Sequence, residues 1–366
     1  MVMSLLSTIL TLFVSLVASV GGWWSTIIDQ NVVVAEKAAI VATALHGIAE
    51  PVTDDGRYSS LIDIINASLQ RIKDGVQSTT TNHAISTTEE TAVTEDVSAE
   101  QDLAEAIVNI YCTTKTSDYK KIISGTGFFI SDRGVVLTNA HVGQFLLLEK
   151  YTDGSETNCQ IKTGESATAA YEVDLLYISP TWLIEHADLI SDPAPQGTGE
   201  NDFALLYVTS TVSETKLPGR FPYLPPSTNS LSTEYQNESV ILVGYPQSAV
   251  SSGLRITSTT TITNLYTFDS GYADVITLAS SPLGHKGASG GPVIDHLGRA
   301  IGVITTKDSG STILNAITLS HIDRALKNET GFDLATTLQG NLAFKAQIFN
   351  ETVSPILQKL LTNNLE

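Results

Sequence analysis

Cysteine, basic side chains and, at the start of the chain, charge of either sign are what this sequence lacks. Among 366 residues there are two cysteines, Cys112 and Cys159, and neither has a CxxC neighbour. That excludes a zinc site built on thiolates and leaves two readings, a disulfide in an oxidising compartment or two buried free thiols. Lys and Arg total 20 against 39 Asp and Glu, a formal charge of −19. Such a field repels phosphate backbones, so nucleic acid is excluded as a partner. Met1–Val20 has no charged side chain, and the Trp pair of "GGWW" follows where interfacial aromatics would sit. Residues 1–24 read as a transmembrane anchor or a signal peptide cut near "VASVGG". With no Lys or Arg ahead of the apolar run, orientation stays undecided. Either version makes the membrane a partner and sends the rest of the chain to an exported or membrane-tethered location.

Residues 25–76 carry helix-like apolar spacing, as in Leu61, Ile62, Ile65, Leu69 and Ile72, with Pro51 and Gly56 breaking the region in two. Residues 77–100 have no aromatic side chain and are rich in Thr, Ser and Glu. That composition buries too little surface to offset its ordering entropy, so it reads as a disordered linker. Beyond it come short β-branched runs separated by Gly, Asp, Asn and Pro: "AIVNIYCTT", "GTGFFIS", "GVVLTNAHV", "TNCQIKTG", "VDLLYIS" and "DFALLYV". A Pro-rich connection over Ser210–Glu238 separates them from "SVILVGYP", "LRITSTTTITNLYTF", "DVITLAS", "GPVID", "AIGVIT" and "ILNAITLS". Two sets of six strands point to an all-β core of two six-stranded antiparallel β-barrels, about 101–210 and 238–320. N-terminal membrane and helical segments precede this core, and a C-terminal helix follows in the extension 328–366.

Three short stretches hold residues suited to chemistry. In "GHKGASGGP", glycines on both sides of Ser289 let the backbone turn sharply enough to aim a side chain and amides into one space. Ser289 Oγ is then a candidate nucleophile, with the Gly287 and Ser289 N–H groups as oxyanion donors. The same run also reads as a glycine-rich hairpin turn. In "VVLTNAHVG", His141 follows an apolar strand that could present an imidazole to a cleft. In "ENDFALLYV", Asp202 opens an apolar run where an unpaired carboxylate is costly and an imidazole is a natural partner. A strand-initiating turn Asp is the plainer reading.

Taken together, "GTGFFIS…VVLTNAHV", "NDFALLYV" and "GASGGPVID…GRAIGVIT" resemble the trypsin-like, chymotrypsin-fold serine proteases, in the chain order His, Asp, Ser. The "LTNAHV" form is most similar to bacterial HtrA/Deg-like members. The resemblance implies a protease domain over 101–327, the trypsin-like double barrel, and hydrolysis of peptide bonds in protein or peptide substrates. It assigns Ser289 as nucleophile, His141 as general base, Asp202 as its orienting partner, and Gly287 and Ser289 N–H as the oxyanion hole. It implies no cofactor and no metal. Departures from the family matter too. The position six residues before the nucleophile, acidic in trypsin, is Leu283 here, so cleavage after Lys or Arg is not expected. Pocket walls would come from Thr305, Thr306 and Lys307 and from Asn315 to Ile317, with a small or medium apolar substrate side chain. About forty residues follow Lys327, too few for the PDZ domain of HtrA-like enzymes. A catalytically silent peptide-binding or scaffold protein at the membrane remains the alternative, and a third reading makes the N-terminal helices the functional part.

Overall fold

The computed structural model describes residues 103–363 except 116–119, 150, 152–155, 192–198, 248–252, 269–271 and 308–312. The anchor or signal segment, the helical region 25–76 and the linker 77–100 lie outside the described residues. Among the described residues no helix is long and apolar enough to cross a membrane.

The first barrel is built from β1 (Ile107–Lys115), β2 (Lys120–Ser131), β3 (Val135–Thr138), β4 (Glu156–Thr163), β5 (Thr168–Ile178) and β6 (Ala204–Thr211). These close in the order β1-β2-β3-β6-β5-β4. The second uses β7 (Ser239–Gly244), β8 (Ile256–Tyr266), β9 (Val275–Leu278), β10 (Pro292–Ile294), β11 (Ala300–Lys307) and β12 (Leu314–Thr318), closed as β10-β11-β12-β9-β8-β7. Sequence and structure therefore agree on two six-stranded antiparallel barrels. Closure removes the sheet edges that a pair of open sheets would leave unpaired. The patterns follow burial: β3 is buried at every residue, whereas β8 alternates exposed threonines with inward residues such as Ile262. Cys112 and Cys159 are direct register partners on β1 and β4, and a disulfide joins them inside the first barrel.

α1 (Ala140–Gly143), which carries His141, runs into a 3-10 turn, and α2 (Pro180–His186) links β5 to β6. The C-terminal part is helical as expected, in α3 (Leu319–Thr330), α4 (Leu334–Thr337), α5 (Leu342–Thr352) and α6 (Ser354–Thr362). They start from the second barrel and pack back on the first. Asn350 Nδ2 donates to Leu175 O at 2.7 Å, Gln358 Nε2 to Leu147 O at 2.8 Å, and Arg133 to Leu338 O and Gly340 O at 3.1 and 2.6 Å. On α3, Glu329 accepts from Ser179 Oγ at 2.9 Å and from Tyr177 OH. Burial raises the Glu329 carboxyl above the usual carboxylate range. Mid-helix, α3 is held by Arg324, which pairs with the buried carboxylate of Asp274.

Candidate active site

Strand register brings together two segments far apart in sequence. Thr138, the last residue of β3, pairs with Ala204, the first of β6, in an antiparallel ladder. The residues just after β3 therefore lie beside those just before β6. His141 sits on α1 three residues beyond Thr138, and Asp202 sits two residues ahead of Ala204. Phe203 fixes the approach from the other side: it is fully buried and stacks on Tyr177 with centroids 5.8 Å apart.

The Asp202 carboxylate is fully buried and held at two points by one residue. Oδ1 accepts from the His141 backbone N–H at 3.0 Å and Oδ2 meets His141 Nδ1 at 2.8 Å. A carboxylate without water is costly unless hydrogen-bonded, and these contacts offset that cost while fixing the ring. With Nδ1 as donor to the carboxylate, Nε2 is left as the acceptor nitrogen of a neutral imidazole. Asn139 donates from Nδ2 to Asp202 O at 2.9 Å, closing the turn behind the carboxylate.

Ser289 comes from the second barrel, in the loop before β10. Its carbonyl accepts from Thr126 N at 2.8 Å, and Thr126 O accepts from Thr138 Oγ1 at 2.8 Å. Ser289 is thereby tied, through one residue of β2, to the strand that leads into His141. Among the described residues no hydrogen bond joins His141 Nε2 to Ser289 Oγ; in free enzymes catalytic hydrogen bonds are often long and form fully only with substrate.

The glycines around Ser289 are required by geometry. Gly287 has φ +90°, and a Cβ there would lie 2.4 Å from Tyr245 O. Gly290 has φ +87°, and a Cβ would lie 1.9 Å from Thr126 O and 2.4 Å from Thr138 Oγ1. Neither the Gly287 nor the Ser289 amide is used in an internal hydrogen bond among the described residues. Their peptide planes are held from behind, since Lys286 O accepts from Gln247 N at 2.6 Å and Ala288 O from Gly291 N at 3.0 Å. In a trans peptide the N–H points opposite the C=O, so both amides are free to serve an outside acceptor.

Residues 125–303 match the family model of the trypsin-like peptidase domain. Over that stretch the chain carries a trypsin-like peptidase domain. It is a hydrolase of the serine endopeptidase class. No curated protein matches it significantly. Among solved structures, it is similar to the Rv3671c protease of M. tuberculosis in its active form, at 19% identity and a TM-score of 0.41, over 71% of this chain and 96% of that one. The inactive form of the same protease aligns at 20% identity and a TM-score of 0.38, over 63% and 91%.

The expected pocket residues fall in different places in this trypsin-like peptidase. Thr305, Asn315 and Ile317 line a cavity of about 300 Å³ together with Gly199, Tyr266 and Phe268. Gly199 is on the turn that ends at Asp202, where Asp202 N donates to Gly199 O at 3.4 Å. Leu283 is fully buried in the core of the second barrel and does not line it. The side chains of Thr306 and Lys307 are outside the described set. Among the described residues no cluster of His, Cys, Asp and Glu could hold a metal ion.

Thr126 is the functional neighbour that the sequence reading missed. Its signal was a polar residue between two glycines in an otherwise apolar strand, "GTGFF", which reads locally as strand and nothing more.

Proposed function

We propose that this chain hydrolyses peptide bonds with Ser289 as nucleophile, His141 as general base and acid, and Asp202 as the group that orients and stabilises the imidazole. Ser289 Oγ attacks the scissile carbonyl carbon and its proton passes to His141 Nε2. Charge developing on the carbonyl oxygen is taken up by the Gly287 and Ser289 N–H groups. The C–N bond then breaks, the amine leaves with the proton from Nε2, and the acyl-enzyme remains on Ser289. Water repeats the sequence, releasing the acid and restoring the serine. The observation that carries this reading is the two-point hold of the fully buried Asp202 on His141.

We place the residue before the scissile bond, small or medium and apolar, in the cavity lined by Tyr266, Phe268, Thr305, Asn315 and Ile317, with Leu283 packed in the core beside it rather than at its floor. The location we propose is outside the cytoplasm, with the catalytic barrels exported or tethered to a membrane by the uncharged stretch Met1–Val20. The Cys112–Cys159 bond supports an oxidising compartment.

A fluorophosphonate probe tests the assignment. Stoichiometric labelling of Ser289, located by peptide mapping and absent in Ser289→Ala, is the expected result; a folded protein that the probe leaves unlabelled would make it the silent scaffold. A cleavage profile on a mixed peptide library tests the pocket, and cuts after Lys or Arg would contradict it.

A further inference from the structure

Thr126 makes four hydrogen bonds, and all of them go to the catalytic elements or to the segment behind them. It is fully buried on β2 of the first barrel. Its hydroxyl donates to Gly287 O at 2.6 Å and accepts from Tyr245 N at 2.9 Å. A backbone N–H only donates and a carbonyl only accepts, so the hydroxyl rotor has a single satisfying orientation. Its own N–H donates to Ser289 O at 2.8 Å, and its carbonyl receives Thr138 Oγ1 at 2.8 Å.

Planarity turns these contacts into aim. Holding the Gly287 carbonyl fixes the Gly287–Ala288 peptide, and holding the Ser289 carbonyl fixes the Ser289–Gly290 peptide. Those two planes bracket the Ala288–Ser289 peptide and alternate with the two that carry the Gly287 and Ser289 N–H groups. The latter are held within the second barrel by Gln247 N and Gly291 N. Thr126 therefore supplies the hold from the first barrel, the one that carries His141. Gly290 confirms how close the approach is, because any side chain there would overlap Thr126 O.

We infer that Thr126 is a positioning residue whose hydroxyl sets the nucleophile loop against the His141 barrel and fixes the Gly287–Ala288 peptide, the plane between the two that carry the oxyanion donors. This rests on the proposed roles of Ser289, Gly287 and His141. Thr126→Val keeps the shape of the side chain but strands a buried N–H and a buried carbonyl, which relieve themselves by rotating the loop. A misplacement of this kind costs about 100-fold.

The test measures kcat and KM on a peptide substrate for the wild type, Thr126→Val and Thr126→Ser, with circular dichroism to establish folding. Thr126→Val should lose about 100-fold in kcat with KM changed by less than about threefold, and Thr126→Ser should recover to within about threefold of wild type. A Thr126→Val enzyme within threefold of wild type, a loss confined to KM, or a Thr126→Ser enzyme as impaired as Thr126→Val would each overturn the inference. If Thr126→Val fails to fold, Thr126→Cys, with a weak thiol in place of the hydroxyl, is read by the same criteria. Ser289→Ala run alongside separates the two levels. Activity surviving there removes the nucleophile assignment itself, whereas its loss with an unaffected Thr126→Val removes only the role of Thr126.

Discussion

Replacing both cysteines by alanine should cost this domain a large part of its stability. The Cys112–Cys159 bond closes a loop with a sequence separation of 47. Constraining a loop of that length removes about 14 cal/mol/K from the unfolded chain, or about 4 kcal/mol at 25 °C. Little offsets this in the folded state, because the two residues are already direct register partners on β1 and β4 and both are buried. Net stabilities of domains are about 5–15 kcal/mol, so the loss is a substantial fraction. Urea unfolding of wild type and of the Cys112→Ala/Cys159→Ala protein, followed by fluorescence, gives the difference. The variant should be less stable by about 3–5 kcal/mol, with a somewhat larger m-value because its unfolded state is less compact. A difference below about 1 kcal/mol would refute the loop-entropy reasoning. The same burial makes the intact bond slow to reduce, so dithiothreitol should open it at the rate of unfolding rather than at the rate of an exposed disulfide.

Gly290→Ala should abolish activity and destabilise the fold by about 3 kcal/mol or more, because a left-handed backbone and an overlap with Thr126 O coincide there; a urea midpoint close to wild type would contradict this. Glu329→Gln should change how stability depends on pH. Burial raises the folded-state carboxyl above its unfolded value, so the group's contribution is complete below the unfolded pKa and is lost as pH rises through the folded one. Relative to wild type, the Gln variant should therefore gain stability on going from pH 4 to pH 7, measured by urea unfolding; a relative loss over that interval would contradict it.

Much of the double barrel is legible in sequence because each strand announces itself locally. Runs such as "GVVLT" and "DFALLYV" are apolar and bounded by turn residues, and the Pro-rich stretch after β6 marks the passage between barrels. Part of β5 was not legible: Thr168–Ala170 carries no apolar alternation, and only the "VDLLYIS" end stands out. The helical character of the C-terminal extension was legible, but its division at Val353, with Pro355 in the first turn of α6, was not. That its helices pack on the first barrel follows from tertiary contacts such as Asn350 to Leu175, which no local pattern encodes.

The site divides along the same line. Ser289, His141 and Asp202 stand in short motifs and can be picked out one by one. The pairing of His141 with Asp202 depends on the Thr138–Ala204 register, and the tie of Ser289 to the first barrel depends on Thr126, both long-range facts. Leu283 was legible as the apolar residue at its position, but its complete burial, apart from the cavity lined by Thr305 and Asn315, is a property of the folded barrel.

The most direct test of the account compares turnover of a protein substrate by Ser289→Ala, by His141→Ala and by the double variant. If the two residues act as one unit, each single change should lower kcat by about 10⁶-fold, and the double variant should be no worse than either. A folded Ser289→Ala protein keeping more than about one per cent of wild-type turnover, or single losses that multiply in the double variant, would contradict it.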